Sequence, residues 1–169
     1  FLDELARENR LEITHVINED WNSRENGLSV LKAREHLDEP FALLMADHLF
    51  EPGILRGLRD HAPDGGVTLA VDRNVSNPMV DISDVTKVKI ERGRVVEIGK
   101  ELESFNGFDT GIFMCTPAVF DALERSISDS GDSSLSGGIR RLAAEGKVAA
   151  LDTGGKFWID VDDREALNK

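Results

Sequence analysis

The hydrophobic pattern of the first half of the chain alternates between two periods. Short apolar runs bounded by polar turns are typical of strands, and apolar residues three or four apart are typical of helices. The runs that predict strands are 11–18, 41–47 and 66–72, and the stretches that predict helices are 1–9, 28–37 and 52–62. Strands and helices in this alternation predict right-handed crossovers and a mainly parallel sheet.

The second half of the chain has a different pattern. Alternation on both sides of Arg92–Gly93 predicts a β-hairpin within 86–102, and Pro117 is typical of the first position of a helix. Further strands are predicted at 107–116, in VAALDT and in FWIDVD, and further helices at 117–128, 134–147 and in the final DDREALNK. The pattern as a whole predicts a three-layer α/β fold with an added β-hairpin.

Composition narrows the class of protein. The length of 169 residues predicts one domain, 1–169, and 40% hydrophobic with 31% charged residues fits a soluble globular chain. A single cysteine, Cys115, excludes an internal disulfide and a zinc–cysteine cluster, and favours a reducing, cytoplasmic setting. The net charge of −12 argues against nucleic acid or an anionic membrane as partner. A phosphorylated small molecule stays compatible if a cation offsets the charge.

Asp47 is the last residue of the run FALLMAD, 41–47, whose continuous apolar residues predict the most buried strand of the chain, covered on both faces. Ligands of parallel α/β sheets gather outside the carboxyl ends of the strands, and a carboxylate there suits a hard cation. The alternative is an aspartate that caps the next helix. Because that helix is predicted to begin only at Pro52, we favour the cation-binding role.

A second group of carboxylates lies in WIDVDD near the end of the chain. Strand alternation places Asp160 and Asp162 on one face, whereas Asp163 is well placed to cap the last helix. Magnesium usually takes one or two protein carboxylates and completes its shell with substrate phosphates. Asp47 and Asp162 brought together would form such a Mg²⁺ site.

Other polar positions are weaker candidates, each with an ordinary structural explanation. Lys100 ends the hairpin and suits a phosphate oxygen, although a single lysine is more often a solvated charge. Asn26 and Gly27 in RENG suit the edge of a base, although the same residues suit a turn before a helix. Asp109 adjoins Gly111, a glycine that allows close approach to the strand.

Five stretches of the chain, taken in order, resemble one family. They are INEDWNSRENGLSVLKAREHL, FALLMADHLF, VDISDVTKVKIERGRVVEIGKEL, FDTGIFM and FWIDVDDREAL. The family is the sugar-phosphate nucleotidyltransferases, in particular their inositol-1-phosphate cytidylyltransferase branch. In some members this domain is fused to a membrane-bound di-myo-inositol-phosphate-phosphate synthase module. The resemblance runs over nearly the whole chain.

The resemblance implies a fold and a reaction. The fold is a Rossmann-like, three-layer, mixed but mainly parallel α/β sheet of the nucleotide-diphospho-sugar transferase type. In the reaction, a phosphate oxygen of a sugar- or inositol-phosphate attacks the α-phosphorus of a nucleoside triphosphate, with CTP favoured, and pyrophosphate leaves. Positioning and charge stabilisation by Mg²⁺ and lysines supply the rate. Three alternatives stay open: a molybdenum-cofactor type guanylyltransferase, a choline-phosphate cytidylyltransferase, and a non-catalytic binding or regulatory domain.

The resemblance also implies residue roles. Asp47 matches the first metal aspartate, and Asp162 matches the second position best, with Asp160 as the near competitor. Lys100 resembles the lysine that touches the acceptor phosphate. The residues implied in reading base and ribose are Glu25, Asn26, Gly27 and Ser29, and those implied near the acceptor's polyol ring are Asp109 and Gly111.

One feature of the family has no counterpart here. Its members open with a strand and a glycine-rich loop, bearing an arginine and a lysine, that cradles the triphosphate. Nothing of that kind precedes Leu11. We therefore expect an N-terminally truncated fragment of the domain that is unstable or inactive by itself. A membrane partner is expected only through a module outside this chain.

Overall fold

The computed structural model describes residues 1–161, which form five α-helices, one 3₁₀ turn and eight strands. The helices are α1 (Leu2–Asn9), α2 (Asn26–Lys32), α3 (Pro52–Asp60), α4 (Ala118–Ser130) and α5 (Leu135–Ala144), with the 3₁₀ turn at Arg34–His36. The strands are β1 (Phe41–Leu44), β2 (His48–Phe50), β3 (Val67–Asp72), β4 (Lys87–Glu91), β5 (Arg94–Gly99), β6 (Gly107–Cys115), β7 (Val148–Asp152) and β8 (Trp158–Asp160). The final helix predicted in DDREALNK, with Asp162 and Asp163, lies outside the described residues.

Six of the strands form one mixed sheet in the order β1-β6-β3-β7-β5-β4, and β2 pairs with β8 in a separate two-stranded sheet. The α/β class and the mixed sheet are confirmed, and so is the hairpin, formed by β4 and β5. The mainly parallel pairing is wrong for the described strands, in which only β3 and β7 pair parallel. The reason is that β6 enters between β1 and β3 and runs antiparallel to both.

The core occupies both faces of the sheet, because alternate residues of the central strands point to opposite sides. On one face Val67, Leu69 and Val71 of β3 pack with helices α4 and α5. On the other face Ala70 of β3 packs with α3 and with Trp158 of the small sheet. Helices therefore cover both sides, which gives the predicted three layers. Among the described helices, none has both the length and the apolar character to cross a bilayer.

Two strand predictions in the first half are corrected. β1 is shorter than 41–47 and is not covered on both faces, since its residues alternate between half-buried and exposed and Leu44 is 40% exposed. The fully buried strand is β3 instead. Residues 11–18 form no strand, and Leu11 and Ile17 are exposed. A β-favouring sequence needs a partner strand to become one, and the described residues provide none for 11–18.

A bulge in β6 shapes the end of the sheet where β1 stops. Leu69 lies opposite Phe113 and Val71 opposite Asp109, so Ala70 alone spans the same length as three residues of β6. Gly111 lies in this bulge with a φ of 70°, which favours glycine, and its carbonyl accepts a hydrogen bond from the N–H of Met45 at 3.2 Å. Bulges redirect the side chains beside them.

The contact between α4 and α5 predicts that replacing Gly138 by alanine destabilises the protein, whereas the same replacement in most helices stabilises it. Glycine to alanine in a helix normally stabilises by about 0.5–1 kcal/mol. A Cβ at Gly138 would lie 2.7 Å from Cδ2 of Leu123, so we expect Gly138→Ala to lower the free energy of unfolding by about 1–3 kcal/mol. Denaturant unfolding measures this change.

Gly53 in α3 is the matched control. A Cβ there would meet only flexible side chains, Lys156 at 3.2 Å and Arg56 at 3.7 Å, so Gly53→Ala is expected to be neutral or stabilising by up to about 1 kcal/mol. A stabilising effect of Gly138→Ala would show that α4 and α5 are not packed as closely as described.

Candidate functional site

A cavity of about 610 Å³ opens where β1, the β6 bulge and the small sheet meet. Most candidate residues from the sequence line it: Asn26, Asp47, Lys100, Asp109, Gly111 and Asp160. These residues come from five separate parts of the chain. The topology therefore gathers into one place the polar side chains that the sequence singled out, and the cavity is the candidate active site.

Asp47 lies in the turn between β1 and β2, a strand that sequence reasoning missed. The helix that follows, α3, has Glu51 at its N-cap, so Asp47 is not its cap. The carbonyl oxygen of Asp47 accepts a hydrogen bond from the N–H of Val161 at 3.0 Å. This bond ties the turn to the end of β8 and leaves the Asp47 side chain about half exposed to the cavity.

Asp160 stands directly across the small sheet from His48, the residue after Asp47. One ligand atom from each of Asp47, His48 and Asp160 lies within 4.8 Å of the other two. Two carboxylates at this separation suit a hard divalent cation that takes oxygen ligands. Of the two predicted partners for Asp47, the described residues thus bring in Asp160, whereas Asp162 lies outside them.

Lys100 follows β5 and also lines the cavity. Its Nζ donates to Oδ1 of Asp84 at 2.5 Å, and both side chains are more than half exposed. Its carbonyl oxygen accepts from Nζ of Lys87. An exposed ion pair contributes little to stability, so an incoming anion can replace Asp84 as the partner of Lys100.

The RENG loop packs against the beginning of α5. The Asn26 side-chain oxygen accepts from the N–H of Leu135 at 2.9 Å, and Glu25 Oε2 accepts from the N–H of Ser133 at 3.2 Å. Gly27 is buried, and a Cβ there would lie 2.5 Å from the carbonyl oxygen of Ser133. The loop is therefore held in place by α5, with Asn26 on the wall of the cavity.

Ser29 is the predicted nucleotide-binding residue that lies apart from this wall. It is exposed on α2, and its hydroxyl accepts a hydrogen bond from Nδ2 of Asn18 at 2.8 Å. Glu25 belongs to a neighbouring recess that shares Asn26 and Lys100 with the main cavity. The four residues of this prediction thus differ in how directly they reach the cavity.

Asp109 lies in β6 just before the bulge and is half-buried in the cavity wall. Its Oδ1 accepts from the N–H of Gly111 at 2.8 Å. Burial raises the pKa of this carboxyl to about 6, while the Gly111 hydrogen bond and the nearby His48 oppose the rise. The carboxyl is therefore an acceptor whose charge is easily lost just below neutral pH.

Gly111 has a packing reason to be glycine. A Cβ there would lie 2.7 Å from two atoms of the His48 ring and 2.9 Å from Met45. The close approach that the sequence predicted at this residue is therefore made, within the chain itself, by His48. The sequence hint for His48 was its place beside Asp47.

Trp158 is a cavity residue that sequence reasoning did not select. Its ring stacks on His48 with centroids 6.3 Å apart, and its indole N–H donates to Oδ2 of buried Asp72 at 2.9 Å. The same oxygen accepts from Asn77 at 2.8 Å. An aromatic residue two positions before Asp160 was the available signal, since strand alternation places both on one face.

Among curated proteins, the chain is similar to several that carry the same name. No family model matches the chain. The bifunctional IPC transferase and DIPP synthase of Rubrobacter xylanophilus is 39% identical over 161 residues, which cover 93% of this chain and 35% of that protein. The protein of the same name from Aquifex aeolicus is 32% identical over 154 residues, covering 91% of this chain and 33% of that protein. The chain spans about a third of the length of these curated relatives.

Solved structures agree with the sequence matches. The inositol-1-phosphate CTP transferase from T. maritima superposes with a TM-score of 0.86 at 27% identity, over 99% of this chain and 67% of that one. A UDP-glucose pyrophosphorylase superposes with a TM-score of 0.67 at 17% identity, over 85% of this chain and 59% of that one, which shows a shared fold. Sequence and fold therefore confirm what the motifs indicated: the chain resembles the sugar-phosphate nucleotidyltransferases, in particular their inositol-1-phosphate cytidylyltransferase branch.

Proposed function

We propose that the protein carrying this chain transfers a nucleotidyl group from a nucleoside triphosphate, with CTP favoured, to an inositol- or sugar-phosphate and releases pyrophosphate. One observation carries the proposal: Asp47, Asp160 and Lys100 line a single cavity of about 610 Å³. Paired carboxylates and a displaceable lysine in one cavity suit two phosphorylated substrates. The names of the relatives, IPC transferase and inositol-1-phosphate CTP transferase, support the choice of substrates.

The bond changes of the proposed reaction balance without a redox partner. A phosphate oxygen of the acceptor forms a bond to the α-phosphorus, and the bond from that phosphorus to the oxygen bridging the α- and β-phosphates breaks. The protein has little covalent work in such a transfer, so its residues act by positioning and by charge. Lys100 would hold the acceptor phosphate after exchanging Asp84 for it. Asp109, with one oxygen held by Gly111, would accept a hydroxyl hydrogen bond from the polyol.

Asp47 and Asp160 would hold the Mg²⁺ ion that we propose as cofactor. The donor set fits, because both side chains offer carboxylate oxygens close together at the open cavity. When bound, magnesium would neutralise phosphate charge that a protein of net charge −12 otherwise repels. We propose Asp160 as the partner of Asp47 because it faces the same cavity.

The proposal also covers the contact to the base, the cellular compartment and the partners. Asn26 would contact the base from the wall of the cavity, with Gly27 keeping the loop close to α5. We propose a cytoplasmic protein on the basis of its single cysteine, and no nucleic-acid partner on the basis of its charge. A membrane partner would come only through a further module.

A pyrophosphate-release assay tests the reaction directly. The complete protein is incubated with Mg²⁺, inositol-1-phosphate and each of the four nucleoside triphosphates in turn. We expect release with CTP that depends on the acceptor. Release only with GTP, or only with choline phosphate as acceptor, would replace the proposed substrates. No release with any pair would favour a binding domain without catalysis.

The carboxylate pair predicts a large loss of activity from small substitutions. Asp47→Asn and Asp160→Asn each keep the side-chain shape and remove a charge. Metal stabilisation of developing charge amounts to several kcal/mol, so we expect kcat/KM to fall on the order of 10²-fold or more. Asp152→Asn is the matched control, because Asp152 is exposed at the end of β7 and an asparagine still accepts from Gly154. Equal activity of Asp160→Asn and the unmodified protein would remove Asp160 from the site.

The raised pKa of Asp109 predicts a specific pH dependence of stability. Its ordinary value is 3.8 and its folded value about 6, so between these values the folded state holds a proton that the unfolded state has lost. The free energy of unfolding therefore falls as pH rises through this window and levels off above it. Asp109→Asn can still accept a hydrogen bond from Gly111 but does not titrate, so its free energy of unfolding should not show this decrease with pH.

Urea unfolding at several pH values from about 4 to about 6 compares the two proteins within the window that the raised pKa defines. The stability of Asp109→Asn relative to the unmodified protein should increase with pH. A constant difference across the range would show that the Asp109 carboxyl titrates normally and is solvated in the cavity.

A further inference from the structure

His48 differs from the two carboxylates beside it in how firmly it is held. Its side chain is 12% exposed, whereas those of Asp47 and Asp160 are 52% and 39% exposed. Nδ1 lies 2.8 Å from Oδ1 of Asp47 and 3.6 Å from Oδ1 of Asp160. Because a carboxylate only accepts, the short contact requires Nδ1 to carry the proton and donate it. A largely buried donor thus points at two more exposed acceptors.

The backbone of Gly111 fixes one edge of the imidazole. A Cβ at Gly111 would lie 2.7 Å from Cδ2 and 2.7 Å from Nε2, so this edge of the ring faces the β6 bulge at close range. The backbone of Gly111 therefore lies directly against this edge of the ring. Its Nδ1 edge is left facing the carboxylates.

Trp158 fixes the plane of the imidazole. The two rings stack with centroids 6.3 Å apart and planes 23° apart. The indole is itself held, since its N–H donates to buried Asp72, which also accepts from Asn74 and Asn77. The orientation of His48 is therefore set by groups from β3, β6 and β8.

We propose that His48 is a positioning residue, which donates Nδ1–H to Asp47 and holds that carboxylate toward Asp160 without binding the metal itself. This inference rests on the proposed function. Outer hydrogen bonds orient ligating side chains, and their loss typically costs about 10–100-fold in metal affinity or activity. Two carboxylates that repel each other in the metal-free protein have particular need of such a donor. The alternative, in which Nδ1 itself binds the metal, is an outcome of the test.

The test uses Mn²⁺, which suits carboxylate sites, as the probe on the complete protein in the presence of CTP. Electron paramagnetic resonance titration gives the dissociation constant. His48→Leu removes the donor, His48→Asn places an amide donor near the position of Nδ1, and His61→Leu is the control at a histidine on the far end of α3. We expect His48→Leu to weaken Mn²⁺ binding about 10-fold or more, and His48→Asn to stay within about 3-fold of the unmodified protein.

Gly111→Ala tests the contact between the Gly111 backbone and the His48 ring without changing the histidine itself. Its new Cβ would displace the ring, so its loss of Mn²⁺ affinity should resemble that of His48→Leu. Electron spin-echo modulation on the unmodified protein separates the two roles of the imidazole. We expect no strong nitrogen coupling to Mn²⁺, and a coupling typical of a directly bound imidazole would overturn the positioning role.

The remaining outcomes separate this inference from the proposed function. Normal Mn²⁺ affinity in His48→Leu would overturn the inference alone, and so would an equal loss in His48→Asn and His48→Leu. Absence of Mn²⁺ binding by the unmodified protein with CTP would overturn the metal site and this inference together. Circular dichroism of each variant confirms that the fold is kept. If His48→Leu does not fold, His48→Asn and the spin-echo measurement still decide the question.

Discussion

The close approach of the Gly111 backbone to the His48 ring is the contact on which the geometry of the site depends. Gly111 belongs to the six-stranded sheet and His48 to the two-stranded sheet, so this contact sets how near the two can come. It requires both the missing side chain of glycine and its positive φ within the bulge. Any larger residue would push the two sheets apart, and with them Asp109 and Asp160, which both line the cavity.

The layers around the bulge explain why it keeps its shape. Strand β6 lies between β1 and β3, and the residues after the bulge, including Phe113 and Cys115, are buried in the core. The hydroxyl of buried Thr110 donates to the carbonyl of Ala70 at 2.9 Å and satisfies a backbone group that the bulge leaves unpaired. The polar cavity thus lies beside a buried part of β6. The polar candidate residues that line the cavity are half-buried or exposed: Asn26, Asp47, Lys100, Asp109 and Asp160.

The charged side chains of the cavity fall into two groups. Asp47 and Asp160 stand together, where they suit a cation, and Lys100 stands apart in an exposed pair with Asp84. In an acidic protein, the carboxylate pair suits the proposed metal and the lysine suits the proposed phosphate. The half-buried carboxyl of Asp109 also lines the cavity and is held by the backbone N–H of Gly111 rather than by an opposite charge.

The sequence by itself determined those features that depend on local pattern or on burial. The sequence predicted the core strand at 66–72, the hairpin at Arg92–Gly93 and the types of the candidate residues. These features could be predicted because periodicity and turn chemistry are local. The tertiary structure alone decided that β6 lies beside β1, that 11–18 finds no partner strand among the described residues, and that Asp160 faces Asp47. These outcomes depend on contacts between distant segments. Strand pairing is set by the packing available to each edge, which no local pattern records.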